Sequence, residues 1–168
     1  MIYWKKEYSV NLEEIDEQHK VLIKLINNLE NIYENMDSYS NFDSLLMGTL
    51  NELKNYTILH FSTEEVLMRM FDYDDFEEHK AGHDKFVALV NKNIIKVGEL
   101  LTRRAKSKNV DEKERIKEEV EVLIKGILEF LQNWLIKHIM KSDKEYVEFF
   151  NKIQSKAKSS GGWLSFLR

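Results

Sequence analysis

Apolar residues along this chain recur in alternating steps of three and four, the rhythm of a helix that buries one stripe. From Leu46 the stripe runs through Leu50, Leu53, Thr57, His60, Glu64 and Leu67 to Phe71. An earlier stretch sets Ile15, His19, Leu22, Ile26, Leu29 and Tyr33 on one face. A later one does the same with Phe76, His79, His83, Phe86, Val90, Ile94, Val97 and Leu101. The fourth reads Val120, Ile124, Ile127, Leu131, Trp134 and His138, and Asp111 with Glu114 three residues on predicts its start as a capping box. Short polar breaks at 38–41, 72–75 and 106–109 predict that successive helices run antiparallel. The expected fold is all-α, an antiparallel up-down-up-down four-helix bundle over residues 1–153, with long third and fourth helices around 77–140 and a separate tail at 154–168.

Composition supports the helices and removes several kinds of chemistry. Proline is absent, glycine occurs 6 times and 32% of residues are charged, a mixture suited to long helices and poor in turn formers. With 0 cysteines, disulfide scaffolds, iron–sulfur clusters, thiol enzymes and thiolate zinc sites are all excluded, so a metal would have to sit on nitrogen and oxygen. The net charge of −4 is spread over interleaved acids and bases, which argues against a nucleic-acid partner. The N-terminal segment has no apolar run followed by a small-residue cleavage site, and no stretch approaches the roughly 20 apolar residues of a membrane span. A cytoplasmic location is expected.

The histidines change the picture most. All 5 of them, His19, His60, His79, His83 and His138, fall on stripes that otherwise carry Leu, Ile, Phe or Trp. One histidine on an apolar face is usually a core residue satisfied by a hydrogen bond. Five are not explained that way, because each unpaired imidazole would cost a few kcal/mol to bury. A metal relieves that cost by taking one ring nitrogen, while the other nitrogen still needs an acceptor. His79 and His83 are one turn apart and can chelate one ion, and His60 with Glu64 repeats the spacing. Glu65, next to Glu64, falls on a different face. All four helices thus send imidazole to one core, as bundle metal sites do. Two chelating pairs and a fifth imidazole exceed what one ion takes while keeping an open position, so two ions are implied. Such ligation suits iron, with zinc, copper and manganese left open by the residues alone.

These residues resemble the hemerythrin family. The segments that carry the likeness are 15–19 (IDEQH), 60–65 (HFSTEE), 79–83 (HKAGH) and 134–139 (WLIKHI) followed by Asp143, with Trp4 and Tyr8 fitting the family's opening. The resemblance implies two non-haem irons joined by an oxo or hydroxo bridge. It implies that His79, His83 and His138 hold one iron, that His19 and His60 hold the other, and that Glu64 and Asp143 bridge them. Asp143 enters through the resemblance only. The implied activity is reversible binding of dioxygen, at the iron with two histidines, for storage, delivery or sensing, and not catalysis. Phe61, Trp134, Leu135 and Ile139 are the implied walls of the dioxygen pocket, with Leu135 as a gate. Two other functions compete: a sensor of oxygen, nitric oxide or redox state that signals to a partner, and a di-iron oxidase or peroxidase. The oxidases of ferritin type draw a Glu from each of two helices and a Glu-x-x-His pair from each of the others, whereas this chain has His-x-x-x-Glu once and His-x-x-x-His once.

Two features depart from the family. The stretch between His83 and His138 is longer than the resemblance leads one to expect, and its extra residues, around 103–121, are strongly charged, so the third and fourth helices are expected to project beyond the other two by a turn or two. The C-terminal stretch sets Lys152, Lys156, Lys158 and Arg168 beside Trp163, Leu164, Phe166 and Leu167, a mixture that could touch a partner protein or a membrane surface. The chain is otherwise expected to be a monomer.

Overall fold

The computed structural model describes residues 1–159, with side chains described to Ile153. The aromatic part of the tail, from Trp163 to Arg168, and the side chains of Lys156 and Lys158 lie outside the described residues. Four long helices follow the apolar stripes: α1 (Glu13–Glu34), α2 (Phe42–Met70), α3 (Phe76–Lys106) and α4 (Val110–Lys137). Among the described residues there is no strand. α1 packs against α2 and α4, and α3 packs against α2 and α4, which with the short connections gives the antiparallel up-down-up-down bundle. The stripes meet in one apolar core, with Leu29, Leu46, Leu50, Val97, Ile116, Ile124 and Leu131 almost wholly buried.

The ends of the helices are set by local chemistry. The turn into α3 is made at Asp72, whose φ of 50° lies in the left-handed region that Asp and Asn tolerate best after glycine. α4 starts one residue earlier than its stripe predicts, and its cap is Asn109, not Asp111. The Asn109 side-chain oxygen accepts hydrogen bonds from the backbone N–H groups of Asp111 and Glu112 at 2.9 and 3.2 Å. The α1–α2 connection is tied to the far end of the other hairpin by Asp43 with Arg104 at 3.2 Å and Asp37 with Lys117 at 2.6 Å. Arg104 and Ala105 in the last turn of α3, and Lys113, Glu114 and Lys117 in α4, line one groove with Met36, Asp37 and Phe42, so these helix ends lie beside that connection.

The site end of the bundle differs from a plain stripe. After Lys137 the chain makes a π-helical turn, His138–Asp143, and continues as α5 (Lys144–Ser159). Residues five apart on an α-helix lie about 140° apart round the axis, at roughly 100° per residue. A π turn, whose hydrogen bonds run from i to i+5, stacks them instead. His138 and Asp143 are thereby brought to one face. α5 then closes this end with a small second core, in which Tyr146, Val147 and Phe150 pack with Val10, Ile15, Met68 and Tyr73.

Candidate metal centre

The bundle brings all seven expected ligands together. His19 comes from α1, His60 and Glu64 from α2, His79 and His83 from α3, and His138 and Asp143 from the π turn. They form two groups whose potential ligand atoms lie within 4.8 Å of one another: Glu64, His79, His83 and His138 in one, and His19, His60, Glu64 and Asp143 in the other. In the first group the Nε2 atoms of His79 and His138 each lie 3.0 Å from Nε2 of His83, so three rings aim at one point.

Each carboxylate faces both groups. Glu64 turns Oε2 to His83 at 3.3 Å, with His79 at 3.7 Å and His138 at 3.8 Å, and turns Oε1 to His60 at 3.6 Å. Asp143 turns Oδ1 to His138 at 3.0 Å and His79 at 3.8 Å, and turns Oδ2 to His19 at 3.2 Å. An anion that shares one oxygen with each of two nitrogen clusters has the form of a bridging ligand.

Burial at the site is severe. His19, His60, Glu64 and Asp143 are 0% exposed, and both ring nitrogens of His19, Nε2 of His60, Oε2 of Glu64 and both Asp143 oxygens have no hydrogen-bond partner. Buried polar atoms are nearly always paired, and this set of nitrogen and carboxylate donors would be satisfied by cations. The residues present therefore fit a pair of metal ions.

Electrostatics tell the same story. Burial works against the charge on His138, yet the Asp143 and Glu64 carboxylates outweigh it and push the pKa up to about 10. Burial drives His60 down to about 4, against the pull of Glu64. For Glu64, burial acts upward but His60 and the contacts with His138, His79 and His83 hold the pKa well below the ordinary carboxylate range. For Asp143, burial and the Glu64 charge act upward, and His138 and His19 reverse them, so its pKa also falls. Without a cation, the two carboxylates are thus compensated by a proton on imidazole. A metal does the same while displacing that proton.

Three residues that support this arrangement were not found by periodicity. Gln18 Oε1 lies 3.0 Å from Nδ1 of His60, and Glu65 Oε1 lies 3.1 Å from Nδ1 of His83. An Nδ1–H donated to each leaves Nε2 free to bind metal. Glu65 does leave the Glu64 face, as expected, but it does so to reach a histidine. The Tyr146 hydroxyl donates to Oε1 of Glu64 at 2.8 Å. Burial and the Glu64 and Asp143 charges push its pKa well above the ordinary phenol value, so it remains a donor. Gln18 and Glu65 adjoin expected ligands in sequence, and Tyr146 follows Asp143 by one turn; those were the available signals.

Two of the expected pocket residues stack on the three-histidine group. Phe61 stacks on His83 with ring centroids 3.7 Å apart and also stands 5.8 Å from His60. Trp134 stacks on His138 at 4.2 Å. Leu135 and Ile139 are 4% and 0% exposed within the main core.

Comparison with known proteins agrees with this geometry. The pattern of the family described as "Hemerythrin HHE cation binding domain" matches residues 10–150. A bacteriohemerythrin of Clostridium acetobutylicum is 27% identical over 148 residues, covering 88% of this chain and 100% of that protein. One from Pseudomonas aeruginosa strain LESB58 is 29% identical over 167 residues, covering 98% of this chain and 93% of that protein. Among solved structures, a wild-type hemerythrin superposes with a TM-score of 0.64 at 26% identity, covering 88% of this chain and 95% of that one. The chain belongs to the hemerythrin family.

Proposed function

We propose that this protein binds dioxygen reversibly at a non-haem di-iron centre held by His19, His60, Glu64, His79, His83, His138 and Asp143, and that it stores, delivers or senses the gas and does not turn over a substrate. The observation that carries the reading is the division of Glu64 and Asp143, each with one oxygen toward the group of His79, His83 and His138 and the other toward the group of His19 and His60. A pair of ferrous ions held by these seven residues would supply the electrons and the Lewis acidity that reversible dioxygen binding needs. The protein's part is to orient the rings through Gln18 and Glu65 and to keep water away. Phe61, Leu135 and Ile139 provide the apolar wall, with Leu135 as the gate, and Trp134 covers His138 on the three-histidine side. Five neutral imidazoles support highly oxidised iron less than a carboxylate-rich site would, which favours binding over oxidation of a substrate.

Oxygen accounting tests the reading. Anaerobically reduced, iron-loaded protein is expected to take up one dioxygen for every two irons and to return it under argon. Oxygen consumed without return, and faster with an added substrate, would replace the carrier with an oxidase. Leu135→Ala is expected to keep its iron and to autoxidise several-fold faster; an unchanged rate would remove the gate.

One observation supports sensing as a second reading. Asp143 ends the π turn from which α5 continues without interruption, so any shift of Asp143 with redox state acts on α5. Faster hydrogen exchange of α5 in one redox state would favour a sensor, and identical exchange would favour storage or delivery. Among the described residues no helix is long and apolar enough to cross a membrane. A monomer in the cytoplasm completes the proposal.

A further inference from the structure

The seven ligand residues are not equally enclosed. His19, His60, Glu64 and Asp143 are 0% exposed and His83 is 1% exposed, whereas His79 and His138 retain 8% and 7%. Those two form part of the lining of one groove of about 590 Å³ between α3 and the end of α4, with Gly82 on one wall and Trp134 on the other. A metal reaching the site through the folded protein meets His79 and His138 first, and no side chain at position 82 stands in its way.

We propose that this groove is the metal portal, that the three-histidine group loads first, and that metal reaches His19 and His60 only by passing across Glu64 and Asp143. The inference rests on the di-iron reading above. The passage follows from the geometry of the carboxylates. Glu64 and Asp143 each present one oxygen to the outer group and one to the inner, at 3.0–3.6 Å from the nearest histidine nitrogens. An ion can therefore be handed inward without losing its anionic partners. The carboxylates of Asp75, Glu78 and Glu145 line the mouth along with the ammonium groups of Lys85, Lys137 and Lys141. Three acids balance three bases, so access, not electrostatic attraction, selects this path, and an anion gains no advantage there.

Gly82 makes the portal testable. A Cβ built on it meets nothing within 4 Å, so a substituent there fills the groove without disturbing the core. Gly126 is equally free of neighbours but lines a different groove, between α3 and α4 toward the other end of the bundle. Because the chain has 0 cysteines, Gly82→Cys and Gly126→Cys each provide one thiol. Each variant would be folded, loaded anaerobically with ferrous iron and only then labelled with a bulky maleimide, so the label cannot impair folding. The readout is the rate at which a coloured ferrous chelator removes the iron, with the iron content per chain measured beforehand.

The label at position 82 is expected to slow iron release by tenfold or more, and the label at position 126 to leave it unchanged. Reloading of labelled, iron-free Gly82→Cys should be slowed similarly while ending at the same two irons. Equal release rates before and after labelling at position 82 would show that metal leaves through another opening of the bundle and would overturn the portal alone. A wild-type chain that never holds two irons would overturn the di-iron reading and the portal with it. For the order of loading, one equivalent of diamagnetic zinc added to the iron-free chain is expected to shift the NMR signals of the His79, His83 and His138 rings before those of His19 and His60. Simultaneous shifts, or shifts at His19 and His60 first, would contradict a histidine triad that fills first.

Discussion

Glu64 and Asp143 are buried carboxylates with no solvent contact, and such groups persist only where charge partners surround them. Five imidazoles supply those partners, and the tyrosine hydroxyl at Glu64 completes them. Tyr146 is the residue whose part in the site is easiest to isolate, because its ring is packed in the second core while its hydroxyl makes one bond, to Glu64. Tyr146→Phe keeps the ring and removes that bond. We expect the variant to fold and to bind two irons with affinity lower by roughly tenfold, the usual scale for losing a partner that orients a ligand. Competition with a chelator of known affinity measures this, and an unchanged affinity would reduce Tyr146 to packing.

At the scale of elements, the four stripes were legible in the sequence because a helix that buries one face must repeat its apolar residues at that period. All five histidines were legible for the same reason: each occupies a stripe position. Asp143 was not, because it lies five residues after His138 and an α-helical reading puts it on another face. Only the π turn brings it back, and no local residue pattern announces that turn. The start of α4 was misread because Asp111 and Glu114 fit a capping box, while Asn109, two residues earlier, offers the acceptor that the N–H groups of Asp111 and Glu112 use. Helix α5 was not foreseen as an element of its own, since its partners, Val10, Met68 and Tyr73, are distant in sequence. Its contribution can be measured. Phe150 is 5% exposed and packs on Phe71 and Tyr146, so Phe150→Ala should cost about 3 kcal/mol of unfolding free energy. Denaturant unfolding checks this, and a loss below about 1 kcal/mol would mean that α5 is not a cooperative part of the bundle.

For the whole molecule, metal and fold are coupled. The main core spans all four helices and is built without the site, but the site end holds six buried polar atoms with no hydrogen-bond partner, which cations would satisfy. Removing iron is therefore expected to leave a folded bundle that unfolds earlier. Metal bound at about a thousand times its dissociation constant stabilises by about 4 kcal/mol, which for a chain of this size is on the order of 10 °C in Tm. Thermal unfolding followed by circular dichroism, with and without iron, reads the difference. Identical midpoints would mean that the imidazoles and carboxylates satisfy one another without metal.

The most direct test of the di-iron account is the anomalous scattering of a crystal of the iron-loaded protein, recorded at the iron absorption edge. Two peaks per chain are predicted, one enclosed by His79, His83 and His138 and the other by His19 and His60, with Glu64 and Asp143 between them. A single peak, or none inside the bundle, would contradict it.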